Sequence, residues 1–363
     1  MHLVSGSTVS DVVLQAFNKI INEGHYRPSR NGGCTSIFDV TFEVKNPRSR
    51  HLHLQGRKSN IFALIAETFW VMAGSDRLYP YLTFFLPRAP NYSDDGVTWS
   101  GAYGPRMYDY NHLASVPDLF RRDSQYTRRA YVPIHDPAKD STQAIETRFG
   151  AGELGKDRPC NLGINFYVQG ENEFTSKVIQ RSGDIIFGTG SINPFEFSFL
   201  HELMYNEIKK DYPDLKLGPY RWHVTNAHLY DFSREQADAA VAVAHNYATV
   251  QEQSDYPLIG PEVSKWSAFF RDLVGQYSEA IETDDPEYVC SLLVPHLGHT
   301  FIEYEVPIEG NLMWTYAILV ARYIAAKRGV MADARPVDLT GLPKELTMPI
   351  VGSSFLKFPV LVS

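Results

Sequence analysis

The stretch Asp157-Arg158-Pro159-Cys160-Asn161-Leu162 runs into alternating apolar residues that continue to Val168. It sets a cysteine between a proline and what reads as a buried strand. A thiol there has two uses. It packs as a small hydrophobe, or it acts as a nucleophile held by the proline turn at the edge of a pocket. Taken alone, the stretch reads as packing. Further along, Gln180-Arg181-Ser182-Gly183-Asp184 groups a guanidinium, a hydroxyl and a carboxylate. Arginine, serine and backbone amides suit a phosphate monoester, because the guanidinium donates in a fixed fork; by itself the segment also reads as a surface strand end. Arg128 and Arg129 are adjacent. In a strand they point to opposite faces, which serves two sites, a neighbouring copy, or a solvated edge. His228 and Tyr230, two apart, share a strand face and suit a sugar hydroxyl, or form a satisfied core pair.

Regular elements must position these groups. Val12, Val13, Phe17, Ile20 and Ile21 form one face of a helix that Gly24 stops. The segment from Cys34 to Val44 alternates and is β-branched and aromatic, as a strand requires. The run Asn60 to Gly74 reads as a strongly apolar helix whose one acid is Glu67. Burying that carboxylate unpaired is costly, so it lies at a cap or in a pocket. Tyr79 to Tyr110 reads as a long ordered loop rich in Pro, Gly, Asn and aromatics. Three strands are predicted in the stretches from Ile164, Lys177 and Arg221. A helix entered at Asn193-Pro194 separates the second from the third. Arg234 to Lys327 is mainly helical. Without strict βαβ alternation, the fold class is α+β or irregular α/β, a mixed sheet packed with helices.

Composition bounds the function. The chain has 363 residues and a formal net charge of −8, which argues against general nucleic-acid binding but leaves room for a local cationic pocket. Three cysteines without a CxxC pair make a disulfide framework or cysteine zinc site an unexpected reading and a reducing cytoplasm the expected compartment. No run approaches membrane-spanning length, so no membrane partner is expected. His51-Leu52-His53 has metal-like spacing but no further ligand in view, and reads as structural. No metal is expected.

In their order along the chain, these pieces resemble the thymidylate synthase family, which includes the pyrimidine nucleotide hydroxymethylases. The resemblance covers about residues 25 to 232 and the last few residues. Its specificity lies in Pro159-Cys160 followed at family spacing by Gln180-Arg181-Ser182-Gly183-Asp184, and later by His228-Leu229-Tyr230. It implies a thymidylate synthase-like fold, one domain over 1–363, with an extra helical insertion over 235–340 and a homodimer joined through the sheet. It implies that Cys160 adds to C6 of a pyrimidine nucleoside monophosphate and makes C5 a nucleophile. Arg181 and Arg30 (or Arg27) would bind the phosphate, with Ser182 nearby. Arg128 and Arg129 would reach the partner's phosphate. His228 and Tyr230 would hold the sugar 3′-hydroxyl. Glu67 would organise water and protons, and Tyr103 would assist proton removal from C5. Asp184, Trp99 and the C-terminal Ser363 would hold 5,10-methylenetetrahydrofolate, the co-substrate.

The departures carry information. Asn161 stands where synthases usually have His. The base-reading Asn is placed at Asn193 by one inserted residue, since the ungapped position is Ile192. An amide pairs with O4 and N3–H of uracil, whereas cytosine is better served by a carboxylate, and Glu196 is near enough to be one. The loop before Gly101-Ala102-Tyr103 is shortened, as in the hydroxymethylase branch. Together with Asn161 this favours water over hydride as the final acceptor partner, giving a hydroxymethyl product. Methylation with dihydrofolate release, and a non-catalytic nucleotide-binding relative, are the alternatives.

Overall fold

The computed structural model describes residues 2–57, 59–244, 257–330, 337–338 and 360–361. Its frame is a mixed sheet of eight strands: β1 (His2–Gly6), β2 (His25–Ser29), β3 (Gly32–Val44), β4 (Tyr131–Pro133), β5 (Asn161–Gln169), β6 (Glu173–Gln180), β7 (Gly183–Asp184) and β8 (Lys216–Tyr230). The order is β1-β3-β8-β6-β5-β4, with β2 beside β3 and β7 beside β8. The centre is β8, antiparallel to β3 and parallel to β6 and β7. Its period of two decides what it does. Tyr220, Trp222 and Val224 are buried, and the residues between them, Arg221 and His223, point the other way. That second face carries polar links. Arg221 bridges Glu43 at 2.6 Å and donates to Gln169 at 2.8 Å, and Thr41 and His223 hydrogen-bond at 3.1 Å.

Helices stack on the apolar face in layers. The helix Asn193–Lys209 packs on β6 and β8, the helix Ile61–Met72 packs on it, and the helices Trp266–Glu282 and Leu312–Arg328 pack on that. Ile61–Met72 is covered on two sides, which explains why its sequence is apolar all round. The helix Val9–Glu23 lies on β3, started by a capping box in which Thr8 and Asp11 satisfy each other's backbone N–H.

Two expected elements differ. The run from Lys177 to Gly190 is not one strand. β6 ends at Gln180, β7 resumes its pairing with β8 in the same register at Gly183 and Asp184, and a π-helical turn Gly188–Ile192 follows. Side chains end the strand: Gln180 donates to Asn161 Oδ1 at 2.5 Å and accepts from Thr189 at 2.7 Å. The turn also closes tightly, because a Cβ on Gly190 would lie 1.8 Å from the Ile185 carbonyl oxygen. The Tyr79–Tyr110 segment holds short helices at Tyr81–Phe85, Ala89–Tyr92 and Tyr103–Tyr108. Burial of Tyr81 and Phe85 drives the first, and Asp95 ties the following turn by accepting from the amides of Val97 and Thr98. The metal-like His51 is buried, with Nε2 2.7 Å from Tyr316 Oη, and among the described residues no cluster could hold a metal ion. Among them, too, no helix is long and apolar enough to cross a membrane.

The layers are tied by buried charge. Glu202 takes Arg50 and Arg48, the latter at 2.7 Å, and accepts the Leu258 amide at 3.3 Å. Arg50 and the Glu202 carboxylate are fully buried. Glu202→Ala strands the Arg50 guanidinium, at a cost of about 3–5 kcal/mol. The expected result is a lower urea midpoint for the variant in equilibrium unfolding.

Candidate active site

Cys160 sits one residue before β5, where the chain is already committed to the sheet. The Arg181 amide donates to the Cys160 carbonyl at 3.0 Å. Its guanidinium donates back to the carbonyls of Pro159 at 3.1 Å and Arg158 at 2.9 Å. Arg181 therefore clamps the turn that carries the thiol. Burial pushes the Cys160 thiol up, the Arg181 charge pulls it down, and Asp157 pushes it up again. The net direction is upward, so without a bound anion arginine only partly activates the sulfur.

Two helices bring carboxyls to this turn. Along Ile61–Met72, Glu67 alone is only partly buried. Desolvation still pushes it up to about 7. Glu196, in the first turn of Asn193–Lys209, is buried and is held well above the carboxylate range by desolvation and by Glu67. Tyr103 heads the helix Tyr103–Tyr108 and lies within the electrostatic reach of Cys160, Glu196, Asp157 and Glu67, all of which add to the rise that burial causes. It gets there because Gly104 lets the backbones touch: a Cβ would lie 2.3 Å from the Val71 carbonyl oxygen. Asp157 is pushed up to about 6 by burial, against a hydrogen bond from Trp99 and the charges of Arg181 and Arg106. Arg106 is itself fixed by Asp140 at 2.7 and 2.9 Å. Trp99 lies parallel to Tyr92 with centroids 6.4 Å apart.

A second group lines the β7–β8 edge. Ser182 Oγ is 3.5 Å from His228 Nδ1, and the rings of His228 and Tyr230 meet edge to face at 4.8 Å. Asn31 donates to Tyr230 Oη at 3.3 Å. Asp184 pairs with His228 in the ladder, accepts the amides of Ile186 and Phe187, and is pushed up to about 6 by burial. Arg57 opposes that rise and donates to the Ile186 carbonyl. Arg30, exposed in the β2–β3 turn, donates to the Lys156 carbonyl at 3.1 Å, beside Asp157, whereas Arg27 lies over the Phe38 ring at 5.1 Å. Asn193 is buried at the start of its helix. Asn161 is fully buried, its Oδ1 taken by Gln180 and its Nδ2 without a partner.

Arg128 and Arg129 are exposed and stay apart from this cluster; Arg129 lies 4.0 Å from Asp123. Ser363 lies outside the described residues. Sequence reasoning passed over Asp157, Arg57, Arg106 and Asn31. The signal for Asp157 was present, three residues before Cys160. Arg57 and Asn31 had none, since only the sheet brings them to the site.

Replacing Arg181 by Met removes the one cation that lowers the thiol. In a Cys34→Ser/Cys290→Ser background, the pH midpoint for iodoacetamide alkylation of Cys160 is expected to move upward relative to the arginine form.

The chain is similar to known proteins along most of its length. The thymidylate synthase family model matches residues 12–252. A deoxyuridylate hydroxymethyltransferase of Delftia phage PhiW-14 is 42% identical over 374 residues, 99% of this chain and 98% of the relative. One of Pseudomonas phage M6 is 27% identical, over 74% of this chain and 75% of its own length. A thymidylate synthase of Buchnera aphidicola is 23% identical over 60% of this chain and 78% of its own. With the family model matching most of its length and a 42% identical relative aligned end to end, the chain belongs to the thymidylate synthase family.

Proposed function

We propose that this protein transfers a one-carbon unit from 5,10-methylenetetrahydrofolate to C5 of dUMP and completes it with water, giving 5-hydroxymethyl-dUMP and tetrahydrofolate. One observation carries the reading: the Cys160 thiol and three desolvated carboxyls, Glu67, Glu196 and Asp157, gather around Tyr103. The end-to-end relative, a deoxyuridylate hydroxymethyltransferase, supports the product.

Each residue has a task. Cys160 adds to C6, so that the electron pair moves to O4 and C5 becomes nucleophilic. Arg181, Arg30 and Ser182 hold the 5′-phosphate, and the anion in turn balances the arginines. His228 and Tyr230 hold the 3′-hydroxyl. Asn193 pairs its amide with O4 and N3–H of uracil. Asn161, locked by Gln180, sets the floor beside the thiol. Asp184 accepts two backbone amides and lies beside the Arg57 charge, and its remaining acceptor capacity fits the N–H donors of a pterin, while Trp99 offers a flat apolar face. The folate supplies the carbon and leaves as tetrahydrofolate. Tyr103 assists removal of the C5 proton by hydrogen bonding, and the electron pair released forms the exocyclic methylene as the bond to the folate nitrogen breaks and tetrahydrofolate leaves. Water adds to this carbon, the C6–S bond breaks, and the thiolate is restored. Glu67, pushed up to about 7, takes and returns protons at neutral pH.

The chain is proposed to act as a homodimer of single-domain protomers, joined through the polar sheet face. In that arrangement Arg128 and Arg129 reach the partner's phosphate, which accounts for two exposed arginines with no role in their own pocket.

Incubation with dUMP and methylenetetrahydrofolate, followed by mass spectrometry, is expected to show dUMP plus CH2O, with tetrahydrofolate. A methyl product with dihydrofolate would mean hydride transfer. Cys160→Ser is expected to abolish turnover and keep dUMP binding; retained turnover removes the nucleophile assignment. Mixing inactive Cys160→Ser with inactive Arg128→Ala/Arg129→Ala protein is expected to restore activity, because one mixed site keeps both the thiol and the arginines. No recovery after subunit exchange rejects sharing in trans.

A further inference from the structure

The proton transfers so far use Glu67, and the neighbouring helix brings another carboxyl beside it. Glu196 is the fourth residue of the helix Asn193–Lys209, three after Asn193 and on the same helical face. That helix packs against Ile61–Met72, which carries Glu67. Glu196 is 3% exposed and its Oε1 has no hydrogen-bond partner among the described residues. Beside it a small void is lined by Val71, Met72, Met107, Phe197, Leu200 and Thr68, whose hydroxyl donates to the Leu64 carbonyl at 2.8 Å, so an ionised Glu196 would stand mainly against hydrocarbon. The titratable groups facing it are Glu67 from one helix, Tyr103 from another and Tyr220 from β8. Cys160 and Asp157 face Tyr103 from the turn before β5. All of these are acids. Two neighbouring carboxyls in such a setting hold one proton between them, and the neutral member has one O–H to donate.

We propose that the protonated carboxyl of Glu196 is a positioning residue, which donates to Glu67 and holds it ionised and aimed at the water that completes the hydroxymethyl group. The better exposed Glu67 keeps the charge and the fully desolvated Glu196 keeps the proton. Glu67 accepts a proton from the water as its oxygen bonds to the exocyclic methylene. The electron pair of the methylene double bond returns to the ring and expels the Cys160 thiolate. Glu196 neither gains nor loses a proton in the cycle. This rests on the proposed hydroxymethyl transfer.

The test compares wild type, Glu196→Gln and Glu196→Ala by pH profile of 5-hydroxymethyl-dUMP formation, with release of tritium from C5-labelled dUMP as the readout of the earlier steps. The wild type is expected to be bell-shaped, its acid limb set by Glu67 and its alkaline limb by loss of the Glu196 proton. Glutamine keeps a donor that cannot ionise. Glu196→Gln should therefore keep the acid limb, lose the alkaline limb, and turn over within about tenfold of wild type. Glu196→Ala should lose about a hundredfold or more, the range of a positioned base, while tritium release falls less. An unchanged alkaline limb in Glu196→Gln overturns the proposal, as does an alanine variant as active as the glutamine one. A wild type that releases no tritium overturns the hydroxymethyl transfer itself. Tritium release with an unaltered Glu196→Gln profile overturns this inference alone.

Discussion

Two carboxyls placed inside an apolar core are the constraint on which the site depends. Glu67 and Glu196 come from neighbouring helices, and among the described residues neither has a cation to neutralise it directly in the way Glu202 has Arg48 and Arg50. Removing such groups from water favours their neutral forms. That is unfavourable for stability and useful for chemistry near pH 7, where a carboxyl pushed up to about 7 both takes and gives protons. The layered helices make it possible. They pack Ile61–Met72 against Asn193–Lys209, which holds the two backbones that carry the carboxyls side by side.

The thiol is handled by a different device. Arg181 does not pair with Cys160 but grips the two carbonyls before it, so the sulfur is placed by backbone and influenced by charge. The pairing of β6 with β8 is interrupted at Arg181 and Ser182, and β7 resumes it in the same register, so Asp184 stands opposite His228 with Ser182 beside it. The interruption frees Arg181 to turn back on the carbonyls before Cys160.

Much of the frame is legible from pattern. The capped helix Val9–Glu23, the alternating β3 and β8 and the apolar helix around Glu67 follow from period and composition, because burial of one face fixes both. The short helices between Tyr79 and Tyr110 were not legible, since their aromatic residues are ordered by the pockets they fill. Nor was the end of β6, which is set by contacts of Gln180 with Asn161 and Thr189, the latter nine residues away.

By itself the sequence determined the chemistry available: one cysteine after a proline, an arginine-serine-aspartate cluster, a lone acid in an apolar helix, and an order that resembles a known family. Those are properties of residue type and local spacing, and folding cannot change them. Only the tertiary structure decided which groups share an environment. It set Glu196 beside Glu67, Asp157 beside Trp99, and Arg57 beside Asp184, and it left Arg128 and Arg129 facing outward. The reason is that a proton equilibrium depends on desolvation and on neighbouring charge. Both fall off over a few ångströms of space, and residues far apart in sequence supply them.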